Sequence, residues 1–280
     1  MRNNPSVRFT RLMAMAALLS AVSSFTDRVR AQDEAKPADN TTYTWSFKYK
    51  KGEVLRFKEE GKLTLNAGGM ELPAEVTTIS RREVKNIAEN GDVTMEDRLE
   101  ESSFRFAGQE VPNPEPDRKT VIVINKAGIV TKLKTENSQQ AGSPMEKVGM
   151  LASSTPIPEK PVRIGEEWKT ELDNPLLEGK KVTVLSRLTG KEKINGVETL
   201  VVQMKAEVAP KADSGENEKI RLVTTYYVDP QAGRIVRVKS VTENVEVEVM
   251  GMTIRISAET VSNLLKEGED GKKSVTKGDA

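Results

Sequence analysis

The chain has 280 residues and contains neither Cys nor His. These absences exclude disulfides, thiolate nucleophiles, His-containing catalytic triads and His-ligated metal sites. Lys and Arg total 43 against 42 Asp and Glu, a balance unlike the strongly basic surfaces that bind nucleic acids. Charged residues reach 30% and hydrophobic residues 36%, which favours sheets with one packed face and one face in water.

The first residues have the pattern of a secretory signal peptide. Three Arg residues precede an apolar run over 12–22, and a small-residue cleavage site ends at Ala31. The apolar run is shorter than the roughly 20 residues needed to span a bilayer, and without Cys no lipid anchor can be attached. We therefore predict a periplasmic or secreted protein, cleaved after Ala31. Cleavage nearer Ser23 and a retained amphipathic anchor are the alternatives.

Removing this leader changes the charge of the chain. Residues 1–31 contain five Arg and one Asp, so the predicted mature chain has a net charge of −3. Two polar segments flank the predicted folded region and are expected to be disordered. The predicted organisation is a signal peptide (1–31), a disordered leader (32–42), an N-terminal β repeat (43–136), a connector rich in Pro and Ser (137–157), a C-terminal β repeat (158–265) and a disordered tail (266–280).

Order is expected to begin at an unusual aromatic segment. Tyr43, Trp45, Phe47 and Tyr49 alternate with polar residues, and this period of two predicts a half-buried strand. The four rings are interpreted as core rather than as the wall of a ligand site, because large aromatic side chains are usually buried for packing.

Turn sequences divide the following residues into short strands. Asn90-Gly91 is the preferred pair for a tight hairpin turn, since both residues tolerate positive φ. Similar turns are predicted at Ala67-Gly68-Gly69, Ala107-Gly108 and Lys126-Ala127-Gly128. Helical periodicity is nearly absent, apart from a short helix predicted over residues 145–152. The predicted fold is all-β, with two related antiparallel meanders forming a curved sheet, half-barrel or sandwich.

The two halves share several landmarks in the same order and at a nearly constant offset. Any single match is weak because these turns are common, but their order favours a duplicated meander over a chance likeness of two meanders. The matched pairs are Gly52-Glu53 with Gly165-Glu166, residues 77–81 with 183–187, Asn90-Gly91 with Asn195-Gly196, and Ala127-Gly128 with Ala232-Gly233.

The search for chemistry identifies no catalytic, cofactor or metal residues. Glu166 and Glu167 stand beside Trp168, as an acid beside a sugar-stacking ring would, but an exposed turn with Trp168 in the core is the preferred interpretation. Residues 213–218 supply oxygen ligands without calcium-loop spacing. The methionines could adapt to an apolar ligand or simply fill the core; they are Met70, Met95, Met145, Met150, Met204, Met250 and Met252.

Two segments resemble a family of uncharacterised bacterial envelope proteins. Residues 158–168 show the pattern Pro-x-x-Pro-Val-x-x-Gly-x-x-Trp, and residues 227–236 form a similar closing hairpin. The resemblance covers residues 43–265, implies an exported all-β protein and provides no catalytic residues. More remotely, the all-β plan is similar to that of LolA/LolB-like lipoprotein carriers, whose curved sheet holds an acyl chain; fold alone does not establish such a function.

Three functions follow as hypotheses. The first is a non-enzymatic envelope protein that binds an apolar or lipid-like ligand on a concave sheet, with no residue yet assigned to that ligand. The second is an interaction or scaffold module that binds another envelope protein through a sheet edge or the connector. The third is a hydrolase that uses paired carboxylates. No cofactor, nucleic-acid partner or transmembrane segment is expected.

The signal-peptide prediction can be checked on protein exported by a bacterial host. Intact mass and N-terminal sequencing should place the first residue at Gln32, because signal peptidase cuts after the small residue Ala31. A chain that keeps Met1 and remains with the membrane fraction would support the retained anchor instead.

Overall fold

The computed structural model describes residues 41–111, 118–136, 143–249, 252–266 and 268. The predicted signal peptide and nearly all of the predicted leader and tail lie outside these residues. Within them the chain forms twelve strands, a helix and a short 3₁₀ turn. These are β1 (Val54–Ala67), β2 (Met70–Ile87), β3 (Val93–Phe106), β4 (Gln109–Val111), β5 (Lys119–Ile124), β6 (Val130–Thr135), α1 (Pro144–Ala152), β7 (Glu167–Asp173), β8 (Lys181–Ile194), β9 (Val197–Val208), the 3₁₀ turn (Glu216–Glu218), β10 (Ile220–Asp229), β11 (Arg234–Val249) and β12 (Met252–Leu264).

All twelve strands belong to one antiparallel sheet. The order is β6-β5-β3-β2-β1-β12-β11-β10-β9-β8-β7, with the short β4 beside β3. The first meander runs from the centre of the sheet to one edge, and the second returns from the opposite edge to the centre. The sheet is curved, and its edge strands β6 and β7 do not pair with each other in the described part of the chain. The prediction of an all-β fold built from two meanders is confirmed.

Alternation along each strand separates an inner face from an outer face. On β9, Leu200, Val202 and Met204 are buried while Lys205 and Glu207 are exposed. Successive side chains point to opposite faces, so most of the apolar side chains meet on the inner side, while a smaller cluster around Tyr227 lies on the outer side. The largest buried cluster combines residues of β1–β3 with residues of β8–β12 and α1. The concave side of the sheet therefore forms the core.

The matched turns of the two halves occupy corresponding places in the sheet. Asn90-Gly91 joins β2 to β3 and Asn195-Gly196 joins β8 to β9, with φ of 89° at Gly91 and 91° at Gly196. Strands β2 and β8 lie six places apart in the sheet, so they run in the same direction. The exact domain boundaries, including the connector over 137–157, stay a prediction.

The aromatic segment is not a strand, which corrects the sequence-based prediction. Its side chains do alternate, and Trp45 is buried, but its only bridge pairs Tyr43 with Val162. We call residues 41–50 the N-terminal strap. The strap covers the sheet instead of extending it, because its backbone bonds go to Val162 and Gly233 while its Trp45 side chain packs in the core.

A second extended segment, residues 153–166, crosses the other meander. We call it the connector strap. The Thr155 N–H donates to the Gly128 carbonyl at 2.8 Å, on the turn between β5 and β6. The Lys48 N–H of the N-terminal strap donates to the Gly233 carbonyl at 3.0 Å, on the turn between β10 and β11. Each strap therefore precedes one meander and binds a turn of the other.

Helix α1 leads into the connector strap. The Ser143 side chain caps its first turn by accepting the Glu146 N–H at 3.2 Å, a common way to satisfy a free helical N–H. The helix places the buried side chains of Val148 and Leu151 in the main cluster. The short helix predicted over residues 145–152 is confirmed.

Two turn glycines are required by the straps. Gly128 has a φ of 79°, and a Cβ there would overlap the Thr155 carbonyl oxygen. Gly233 has a φ of 62°, and a Cβ there would lie 2.5 Å from the Ser46 carbonyl oxygen. Both sites combine the left-handed backbone that favours Gly with close approach of a second chain segment.

Gly128→Ala should destabilise the protein more than Gly108→Ala. Gly108 has nearly the same φ, 80°, with nothing within 4 Å of its hypothetical Cβ, so its substitution costs only the backbone strain of about 1–2 kcal/mol. The clash at Gly128 adds about 2 kcal/mol. Urea denaturation measures both variants, and equal losses would show that the connector strap is not tightly docked.

Candidate functional site

The two tryptophans of the chain meet where the N-terminal strap passes over edge strand β7. Trp45 on the strap is 6% exposed, and Trp168 on β7 is half-buried. Their ring centroids lie 5.8 Å apart with an interplanar angle of 64°, an edge-to-face arrangement that aromatic pairs favour. The strap is thus held against the second meander by this ring pair as well as by the β10–β11 turn.

Three buried polar atoms at this place have no hydrogen-bond partner among the described residues. They are the Nε1 atoms of Trp45 and Trp168 and the Oγ atom of Ser186. Trp168 and Ser186 are cross-strand neighbours on β7 and β8, and Ser186 is fully buried. Leaving such a group unpaired costs about 1–3 kcal/mol. We call these three residues the Trp–Ser cluster; it offers two N–H donors and a hydroxyl to an acceptor.

A row of hydroxyl side chains continues from this cluster across the inner face. Ser186 pairs with Met204, which pairs with Thr224, and Ser240 and Thr260 follow on β11 and β12. The Thr224 and Ser240 hydroxyls lie 3.0 Å apart and share a hydrogen bond. These hydroxyls therefore form a polar row across an otherwise apolar face. Among them, only the Ser186 hydroxyl is both fully buried and without a hydrogen-bond partner in the described residues.

Tyr226 fixes the covering segments onto this face. Its buried hydroxyl lies 2.7 Å from both the Ala152 and the Ser154 carbonyl oxygens, at the end of α1. Burial raises the pKa of Tyr226 well above its usual value, because an apolar surrounding disfavours the phenolate. The neutral hydroxyl therefore remains a donor, and α1 stays attached to β10.

The first meander carries a paired charge on its inner face. Arg82 and Asp97 form two hydrogen bonds of 2.6 and 2.7 Å, and the guanidinium lies 5.1 Å from the Phe57 ring centroid. Burial alone would lower the pKa of Arg82, but the Asp97 carboxylate more than offsets this, so the pKa is raised. Burial also raises the pKa of nearby Tyr49 to about 12. This pair is satisfied and needs no ligand.

A polar groove lies over β1–β3. Its volume is about 420 Å³. Its charged residues carry both signs, and Lys58 and Glu60 form an ion pair of 3.0 Å within it. An apolar chain would gain little from such a wall. The charged and polar lining residues are Lys58, Glu60, Glu75, Thr77, Thr78, Glu101, Ser102, Ser103 and Arg105.

The structure does not bring the predicted carboxylate candidates together into a site. Glu166 accepts the Arg163 N–H at 2.8 Å as part of its turn, and Glu167 is exposed on β7. Residues 213–218 form an exposed connection with a 3₁₀ turn. Within the described residues no group of three or more acidic side chains could hold a metal ion.

The methionine side chains that the structure describes do not gather around a ligand space, and Met250 lies outside the described residues. Met95 and Met204 are fully buried in two different clusters, while Met70 and Met252 are 64% and 55% exposed. The preferred interpretation of Trp168 as a packed residue agrees with its contact to the main cluster. Its pairing with Trp45 has no sequence signal, because no local pattern connects the two residues.

Comparisons with known proteins give fold-level likenesses. No protein-family model matches the chain, and no curated protein matches it. Lipovitellin superposes with a TM-score of 0.47 and 8% identity, over 78% of this chain and 26% of lipovitellin. A protein with a YmcC-like fold from Bacteroides fragilis gives 0.29 and 12%, over 79% and 98% of the two chains. A β-barrel-like protein of unknown function from Brucella abortus gives 0.29 and 9%, over 78% and 100%.

Likenesses of this size assign neither a family nor a function. This chain spans about a quarter of lipovitellin. The LolA/LolB-like carriers are not among these three structures, so that resemblance stays a prediction. In the described part of the chain, no helix has the length and apolar character that crossing a membrane requires.

Opposite effects are expected for two buried hydroxyls of the same row. Ser186→Ala should raise the free energy of unfolding by about 1 kcal/mol, because it removes a buried group that has no partner. Thr224→Val should lower it by about 1 kcal/mol, because it breaks the bond to Ser240. Thermal and urea denaturation measure both. A loss of stability in Ser186→Ala would mean that its hydroxyl is satisfied after all.

Proposed function

We propose that the protein is a non-enzymatic binding protein of the bacterial envelope that holds a lipid-like ligand on the inner face of its curved sheet. The hydrogen-bond acceptor of the ligand headgroup would meet the Trp–Ser cluster. The observation that carries the proposal is the presence of three buried, unpaired polar atoms on the border of a broad apolar face. Buried polar groups in native proteins are nearly always paired, so these three are suited to an external acceptor.

The apolar part of such a ligand would lie against the inner face of β8–β12. Val184, Leu188, Val202 and Leu222 are almost fully buried there. Each methylene group moved from water to this face gains about 0.8 kcal/mol. The covering layer consists of the two straps and α1, so these segments would have to shift to admit an acyl chain.

Of the two straps, the N-terminal strap makes fewer backbone hydrogen bonds to the rest of the described chain. Tyr43 exchanges two hydrogen bonds with Val162, and Lys48 donates one backbone bond to Gly233. A strand within the sheet is held along its full length on both sides. Lifting the strap therefore breaks far fewer backbone bonds than opening the sheet, and it exposes Trp45 and Trp168 together.

The absence of enzymatic activity is part of the proposal. With no His or Cys in the chain, catalysis would depend on carboxylate, hydroxyl or amino side chains. The inner carboxylate of Asp97 is bound by Arg82 through two hydrogen bonds, and Glu146 accepts the Thr135 N–H at 3.2 Å. Both are occupied in structural bonds, which supports a binding role over hydrolysis.

Tryptophan fluorescence tests the proposal directly, because the only two tryptophans of the chain form the cluster. Titration with fatty acids and lysophospholipids of increasing chain length should give a saturable change in emission. Affinity should rise with chain length as more methylene groups are buried. Native mass spectrometry of the same samples should show a matching adduct.

Variants separate the headgroup contact from general changes. Ser186→Ala should weaken binding about fivefold through the loss of one hydrogen bond, while Thr183→Ala, on the exposed side of the same strand, should leave affinity unchanged. If Ser186→Ala and the native chain bind with equal affinity, the Trp–Ser cluster does not contact the ligand headgroup. No spectral change and no adduct across the whole panel would refute the proposed function.

A further inference from the structure

The outer face of the second meander carries two cations over one buried ring. Tyr227 of β10 is 4% exposed. The Arg237 guanidinium and the Lys239 ammonium of β11 lie 5.8 and 5.4 Å from its ring centroid. Asn263 orients the guanidinium by accepting its Nε–H at 2.6 Å. Ring and amide thus fix two positive charges side by side on the water-facing side of the sheet.

A third cation extends this surface. Lys205 of β9 pairs with Val223 of β10, which pairs with Val241 of β11. The Cα atoms of Lys205 and Lys239 are therefore about 12 Å apart, because two strand spacings across the sheet and two residues along β11 separate them. Neither Lys205, Arg237 nor Lys239 has an ion-pair partner within the described part of the chain. We call these three residues the basic face.

The outer face of the first meander is organised differently. There Arg81 and Lys85 both contact Glu83, at 2.9 and 2.8 Å, and Arg98 contacts Glu96 at 2.7 Å. Hydrogen bonds from Lys85 and Arg81 lower the pKa of Glu83. These three cations are therefore neutralised by neighbours, whereas those of the basic face remain open to an external anion.

We propose that the basic face docks the protein onto an anionic lipid membrane surface. Charge complementarity carries the proposal: three cations without an ion-pair partner in the described part of the chain lie close together on one side of the sheet, two of them fixed by a ring and an amide. Juxtaposed basic residues are attracted to anionic headgroups from within a Debye length. This proposal is independent of a ligand on the inner face.

A bilayer surface fits the basic face better than an acidic polypeptide does. The cations lie in the middle of the sheet, where every strand is already paired on both sides, so no free edge can add a peptide strand. Half-buried aliphatic side chains lie beside the cations on the same outer face, at Leu185, Val201, Val223 and Val241. The anionic headgroups of a lipid surface can move to meet the three cations, so no fixed register is needed, and apolar groups lie just below the headgroups.

Vesicle flotation at low salt tests this proposal with the full chain. Mixed vesicles of phosphatidylglycerol and phosphatidylcholine should bind the protein, and vesicles of phosphatidylcholine alone should not. Lys205→Gln with Lys239→Gln should lower the partition coefficient about 30-fold, the factor expected for two surface cations. Both side chains are exposed, so the variant should keep its fold, which circular dichroism checks.

The matched control is Lys85→Gln with Lys181→Gln, which removes the same charge from two ion-paired lysines. It should retain most of the binding. An equal loss in both variants would mean that net charge, not the basic face, causes association, and would overturn the proposal. Binding to immobilised polyglutamate but not to anionic vesicles would overturn it in favour of an acidic protein partner.

Discussion

The architecture depends on two straps that cross to the opposite meander. The alternation of apolar and polar residues gives the twelve-stranded sheet one apolar face, and curvature alone would leave part of that face in water. Here the segment before each meander binds a turn of the other, at Gly128 and Gly233, and the straps bind each other through Tyr43 and Val162. These contacts connect distant parts of the sheet, so the curvature of the sheet and the docking of the straps stabilise each other.

This arrangement also determines where a ligand site can exist. The core has no second sheet as a cover; its inner face meets the straps, α1 and the bent parts of the same sheet. A cover made of extended segments can be displaced without breaking the sheet ladders. Three of the five buried side-chain polar atoms without a partner in the described structure, at Trp45, Trp168 and Ser186, lie at the contact between the N-terminal strap and edge strand β7. The unpaired polar atoms therefore lie under the N-terminal strap, the segment that can be displaced without breaking the sheet.

The parts of this fold that sequence predicts are those with local causes. Asn90-Gly91 and Asn195-Gly196 specify turns because positive φ is a property of the residues themselves. The alternation from Tyr43 to Tyr49 predicts a strand, although the structure shows a strap, because both have a side-chain period of two. Only the hydrogen-bond partners of the backbone distinguish a strap from a strand, and the sequence does not specify those partners. The Trp–Ser cluster unites a strap residue with residues of β7 and β8, and no local pattern reports such long-range proximity.

Both faces of the sheet carry polar groups without a partner, but the free-energy cost of leaving such a group unpaired differs between the two faces. A solvated Lys or Arg loses little without a partner, because water satisfies it, and surface ion pairs contribute at most about 1 kcal/mol. A buried hydroxyl or indole N–H has no such substitute and costs about 1–3 kcal/mol when it is unpaired. The inner cluster therefore constrains function more strongly than the basic face does. If both proposals hold, membrane docking would bring the outer face to the lipid source while the strap edge remains free to open.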